Sequence, residues 1–231
     1  MYSAPTPVQS RSSESAERIP CIRYHGGYIA MDIERTTTTL LEGLFDSDNE
    51  AAWAMFDARY RPIVVAFARK LGMTESDAGD VAQETILQFL KEYKAGKYDR
   101  QRGRLRSWLI GIARFRVAGV YRKKASKREY RGESAMVIIP EEDAALETLW
   151  DTERRTIILQ AAFKEMQATT KADDRNTKAF EMLVFNQIPI ETVCAELDMT
   201  AQQAYLAKSR SAKRLKAIID RLELVYDEGA P

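Results

Sequence analysis

Residues 189–222 read PIETVCAELDMTAQQAYLAKSRSAKRLKAIIDRL, and this stretch decides the fold. Pro189 fits the first position of a short helix, where its missing N–H costs nothing. That helix is expected to reach Leu197, and Asp198-Met199-Thr200 forms a turn. Thr200 is an N-cap residue, and Gln203, three residues on, completes a capping box that opens a longer helix. Upstream, a first helix is expected from about Thr177 to Phe185, followed by a turn at Asn186-Gln187-Ile188. A short helix, a three-residue turn and a longer basic helix have the spacing of a helix-turn-helix. The turn usually favours Gly; here Asp198 takes that place, and Asp tolerates the left-handed conformation at some cost.

On a helical wheel the long helix separates into two faces. Ala204, Ala207, Leu215, Ile218 and Leu222 fall on one side, towards a core. Gln202, Leu206, Ser209, Arg210 and Lys213 fall on the other. The first residues of a recognition helix reach base edges, and basic residues further along grip phosphates. Gln202 and Gln203 are therefore base-reading candidates, and Arg210, Lys213 and Arg214 phosphate candidates.

Upstream of this unit, helical periodicity dominates from Thr36 onward. Ser47-Asp48-Asn49-Glu50 has the form of a capping box, and Trp53, Phe56 and Tyr60 recur at helical spacing after it. Pro62 is expected to break or kink that helix at Arg61. A second stretch runs from Ile63 to Leu71, stopped by Gly72. Thr74 with Asp77 caps a helix that reaches about Tyr93. Its core stripe is Ala78, Val81, Ala82, Thr85 and Phe89, while Asp80, Gln83, Glu84 and Leu87 share another side. An acidic patch around one exposed leucine suits a basic protein partner.

Residues 94–103 carry two glycines and no apolar period, so they read as a loop. An amphipathic helix follows from Leu105 and ends in Arg122-Lys123-Lys124. Loop and helix together place Tyr98, Trp108, Phe115 and Tyr121 among Arg100, Arg102, Arg104, Arg106, Arg114 and Arg116. Aromatic rings in a basic groove offer stacking surfaces for unpaired bases. Trp108 reads mainly as core, whereas Tyr98, in the loop, is harder to place in one. The period fades over about 125–145, where Glu141-Glu142-Asp143 turns the chain acidic, and returns from Leu146 to Met166. Met136–Ile139 is the one β-like run, so the class is all-α.

Composition narrows the function. The 231 residues carry a formal charge of +1, yet residues 97–131 hold +11 and residues 205–221 hold +5, leaving −15 on the rest. Two basic segments in an acidic chain point to two contacts with a polyanion. The longest apolar run, Ile63 to Ala68, is too short to span a bilayer, and the N-terminus has no apolar signal core. A cytoplasmic protein is expected. Cys21, Cys194 and the single His25 are too few for a disulfide framework or a zinc site, and no cofactor or catalytic set is expected.

Asp77-Ala-Gly-Asp-Val-Ala-Gln-Glu-Thr-Ile-Leu-Gln-Phe-Leu90 resembles region 2.2 of bacterial sigma factors. Tyr98-Asp-Arg-Gln-Arg-Gly-Arg-Leu-Arg-Ser-Trp-Leu-Ile-Gly-Ile-Ala-Arg114 resembles regions 2.3 and 2.4. Ile190 to Thr200, with Tyr205-Leu-Ala-Lys-Ser-Arg210, resembles the region 4 helix-turn-helix. With regions 2 and 4 alone, the chain is similar over about 38–222 to the small extracytoplasmic-function sigma factors. The resemblance implies that Asp80, Gln83, Glu84 and Leu87 dock on the β′ clamp helices of core RNA polymerase. It implies that Tyr98, Arg100, Arg102, Arg104, Arg106, Trp108, Arg114, Phe115, Arg116, Arg122 and Lys123 open and read the −10 element. Thr200, Gln202, Gln203, Leu206, Ser209, Arg210, Lys213 and Arg214 then address the −35 element, with the same domain seated on the β flap. Phe115 stands where the family often has Asn; it has no hydrogen bond to give a −10 base there, and its ring leaves stacking open. Such factors are often held by an anti-sigma protein, which makes one an expected partner. No catalytic residue is needed, because the polymerase does the chemistry.

The expected organisation is a disordered extension over 1–35, a region 2 domain over 36–125, a linker over 126–145, a region 4 domain over 146–222 and a tail over 223–231. If the two domains pack together, the acidic stretch 141–153 is expected to mask the basic faces. The alternative is a stand-alone helix-turn-helix regulator that binds duplex DNA without polymerase. A third reading, a phosphohydrolase with Asp77, Asp80 and Glu84 on magnesium, lacks a second carboxylate helix near enough to share the metal.

Overall fold

The helices of this chain begin where short polar side chains meet the backbone. Asn49, Thr74 and Thr200 each accept a hydrogen bond from a first-turn N–H, and Asp174 accepts two. The computed structural model describes residues 37–46, 49–99, 103–129, 140, 142–169 and 174–226, all within one compact unit, Asp32–Pro231. The elements are α1 (Thr37–Gly43), α2 (Glu50–Lys70), α3 (Glu75–Lys94), α4 (Leu105–Glu129), α5 (Asp143–Ala168), α6 (Arg175–Phe180), α7 (Ile190–Glu196) and α8 (Ala201–Val225). A π-helical turn, Glu181–Phe185, extends α6. Of the described residues 83% are helical and none is in a strand, so the chain is all-α as expected. The extension over 1–35, Cys21, His25 and the β-like run Met136–Ile139 lie outside the described residues.

α2 is the hub, packed on α1, α3, α4 and α5. It buries Phe56, Tyr60, Ile63, Val64 and Phe67 against Phe89 of α3 and Leu109 and Ala113 of α4. Each such aliphatic or aromatic side chain contributes roughly 1.5–3 kcal/mol when fully buried. α5 joins the same core through Leu146, Trp150 and Ile158; Trp150 meets Phe67 edge-on with ring centres 5.8 Å apart. α8 reaches it through Leu215, Leu222 and Val225. There the guanidinium of Arg59, wholly buried, donates to the Val225 carbonyl at 2.9 Å and lies over the Tyr226 ring. Thr37 Oγ1 donates to the same carbonyl at 3.0 Å. Desolvation lowers the Arg59 pKa and raises that of Tyr226.

Several boundaries differ from the sequence expectation: α5 begins at Asp143, within the span expected as linker, and α8 runs on to Val225, into the span expected as tail. The cap of α2 is Asn49 rather than Ser47, because the Asn49 side chain reaches the Ala52 N–H at 3.0 Å. Pro62 lies inside one continuous α2 and does not end it. Tyr60 on one side and Ile63 and Val64 on the other are buried in the same core, which outweighs the lost backbone hydrogen bond. α4 runs on through Ala125 to Glu129, into the span expected as linker. Gly72 and Thr74 behave as expected: Gly72 has φ +87° and Thr74 caps α3 through the Asp77 N–H.

Candidate nucleic-acid interface

The first candidate surface is the outer side of α3. Ala78, Val81, Ala82, Thr85 and Phe89 are buried as the period predicts. Asp80, Gln83, Glu84 and Leu87 are exposed together, Leu87 by 59%. Asp77, at the start of the helix, takes Lys124 at 2.5 Å and the Thr74 hydroxyl. Those bonds hold its carboxyl below the usual range, Lys124 contributing most. Glu84 is paired with Arg116 of α4 at 3.3 Å. Among the described residues no group of acids, cysteines or histidines is placed to hold a metal ion.

The second surface lies on α4 and the chain leading to it. Arg100 and Arg102 lie outside the described residues. Tyr98, hard to assign to a core from sequence, is half-buried against Trp108, ring centres 5.1 Å apart, and against Phe89 and Tyr93. Trp108 is half-buried, and its indole N–H donates to Glu92 at 2.9 Å. Glu92 also accepts from Gln88, whose carbonyl oxygen accepts from Arg116. Gln88, Glu92, Trp108 and Arg116 line an open groove between α3 and α4, together with Gly111 and Ile112. Phe115 projects from its rim, 62% exposed, with the Arg122 guanidinium 5.6 Å from its ring centre. Arg104 and Lys123 are exposed. Arg106 and Arg114 instead face α5. Arg106 binds Asp151 at 3.0 Å and Arg114 binds Asp143 at 3.0 Å.

The third surface is the helix-turn-helix. Ala179, Val193 and Ala207 form a small core with Met182, Leu183, Ile188, Leu197 and Met199 around it. Asp198 adopts φ +47°, as its place in the turn demands. Gln187 also has positive φ, +52°, with no glycine in the sequence to announce it. Pro189 is the residue before α7, one position earlier than expected. Arg175 donates to the carbonyls of Leu197 and Asp198 and so ties the turn to α6. That link was not visible in the sequence.

On α8, Gln202, Leu206, Ser209, Arg210 and Lys213 are exposed on one side. Tyr205, 61% exposed, joins them without having been singled out by the sequence reading. Thr200 and Gln203 form the capping box: Gln203 Oε1 accepts from the Thr200 N–H at 2.9 Å. Gln203 is therefore held in part by the cap, while Gln202 is not tied into it. Arg214 bonds to Thr169 at the end of α5. No helix among the described residues is long and apolar enough to cross a membrane.

None of the curated proteins compared with the chain matches it. Residues 56–127, from the middle of α2 into the last turn of α4, match the family model of Sigma-70 region 2, and that stretch contains both the acidic face of α3 and the basic, aromatic face of α4.

Proposed function

We propose that the chain is a sigma factor of the extracytoplasmic-function type, which binds core RNA polymerase and directs promoter recognition. The observation that carries this reading is the match to Sigma-70 region 2 over residues that hold two chemically opposite faces side by side. On α3, Asp80, Gln83, Glu84 and Leu87 offer carboxylates around an exposed apolar side chain, suited to the β′ clamp helices. On α4 and the chain leading to it, Tyr98, Trp108 and Phe115 offer rings for unpaired bases of the −10 element. Arg104, Arg106, Arg114, Arg116, Arg122 and Lys123 offer cations for phosphates. Residues 36–125 are then region 2 and residues 146–222 region 4, seated on the β flap. Gln202 and Leu206 address base edges of the −35 element, and Ser209, Arg210, Lys213 and Arg214 its backbone. The protein itself needs no catalytic group, and an anti-sigma protein is its expected regulator.

The test is binding to bacterial core RNA polymerase, wild type against Asp80→Arg with Glu84→Arg. Wild-type binding that the charge reversal abolishes is the expected result. If neither protein binds polymerase and the wild type binds a specific duplex alone, the chain is a stand-alone helix-turn-helix regulator.

A further inference from the structure

α5 carries three carboxylates at four-residue spacing, Asp143, Glu147 and Asp151, all turned towards α4. Asp143 meets Arg114 at 3.0 Å. Glu147 accepts from the Ser107 hydroxyl at 2.9 Å and lies 3.7 Å from Arg106. Asp151 receives one Arg106 nitrogen on both oxygens, at 3.0 and 3.2 Å. The two helices run antiparallel along this seam, so the stripe is matched in order to α4. Residues at four-residue spacing share a helix face, about 6 Å apart along the axis. The stripe is set in place from behind: Leu146 and Trp150, on the other side of α5, are buried in the core.

These are arginines that the proposed function gives to DNA, and the inference rests on that reading. A guanidinium takes a carboxylate and a phosphate by the same kind of paired N–H bonds, and the N–H groups held by one are not open to the other. We propose that the acidic stripe of α5 is a built-in competitor for the nucleic-acid backbone, so that the described conformation is a closed, self-inhibited form. α5 also holds α8, through Glu165 on Arg221 at 2.5 Å and Thr169 on Arg214. A movement of α5 away from α4 therefore bears on α8 as well as on the two arginines.

The experiment measures binding of a fluorescein-labelled oligothymidine strand to the full chain by anisotropy at low salt. The variant combines Asp143→Asn, Glu147→Gln and Asp151→Asn. Its affinity is expected to rise on the order of tenfold over wild type, since each exposed pair is worth a few-fold. Adding Arg106→Gln and Arg114→Gln removes the gain. A control of matched charge, Glu42→Gln with Glu50→Gln and Glu223→Gln, changes affinity by less than about twofold. Asp143→Asn alone alters a side chain 90% exposed, keeps the fold, and is expected to give about two- to fivefold. Affinities equal to wild type in both the triple and the single variant overturn the proposal, as does a gain that the control reproduces. Core-polymerase binding by the wild type is measured alongside. Its failure sinks the sigma-factor reading, whereas intact polymerase binding with unchanged oligothymidine affinity sinks only the stripe.

Discussion

Arg59 on α2 donates to the backbone carbonyl of Val225 at the end of α8, 166 residues away and 2.9 Å apart. The bond is buried, and Tyr226 covers the guanidinium from one side. Arg59→Met keeps an apolar stem but removes the donor. It is expected to lower unfolding free energy by about 1–3 kcal/mol in urea titration, and to expose the end of α8 to limited proteolysis. An unchanged urea midpoint would mean the seam is held by apolar packing alone.

Tyr93 donates its hydroxyl to the Leu41 carbonyl at 2.9 Å, and burial, with smaller effects from Tyr98 and Glu42, pushes its pKa up to about 12. The neutral phenol is favoured in the folded state. Its contribution is intact below the unfolded value near 10 and is lost as pH rises from about 10 to about 12. The full loss is about 2–3 kcal/mol. Tyr93→Phe should show a shallower alkaline loss than wild type; parallel stability curves would contradict this.

Two turn positions should respond with opposite signs. Gly72 sits at φ +87°, and a Cβ there would lie 2.6 Å from the Tyr121 hydroxyl, which itself donates to the Leu71 carbonyl. Gly72→Ala is expected to cost about 1–2 kcal/mol for the left-handed backbone, plus the displaced hydroxyl. Asp198, at φ +47°, carries the strain that a glycine would avoid. Asp198→Gly is expected to leave stability equal or raise it by up to about 1 kcal/mol. Thermal unfolding of the two variants checks both, and a destabilised Asp198→Gly would show that its side chain has an unrecognised role.

Gln202 and Gln203 are neighbours, and only Gln203 belongs to the capping box. Gln203→Ala breaks half of the capping box and should lower stability by about 0.5–1 kcal/mol. On the proposed function, Gln202→Ala should leave the melting temperature alone and weaken −35 duplex recognition by the polymerase-bound protein. The reverse assignment would appear as a stable Gln203→Ala protein with altered promoter choice.

Features set by a few neighbouring residues were legible in the sequence. Thr74 with Asp77, Thr200 with Gln203, Gly72 and Asp198 each act within one turn, so the chain spells them out. The acidic face at Asp80, Gln83, Glu84 and Leu87 was legible for the same reason: one helical period places it. Pro62 was misread because its local effect is outweighed by core contacts on both sides, which no local pattern encodes. Charge segregation suggested that the 141–153 stretch could mask basic faces, but not which arginines it takes. Arg106 and Arg114 are chosen by the way α5 seats Trp150 on Phe67. Arg59 was not singled out in the sequence, because its partner lies on another helix, 166 residues further along the chain.

Helical proteins usually assemble from contacts close in sequence, and fold quickly for that reason. The seam where Thr37 and Arg59 both grasp Val225 is of the opposite kind, closing across 188 and 166 residues. On a ribosome adding about 5–20 residues per second, Arg59 waits roughly 8–30 s for its acceptor to be made. Through that interval the guanidinium must stay hydrated, and the pocket it later fills must stay open. The polar contacts of α1 and α2 with Val225 are thus completed only after α8 has been made, long after α2 can pack on α3 and α4.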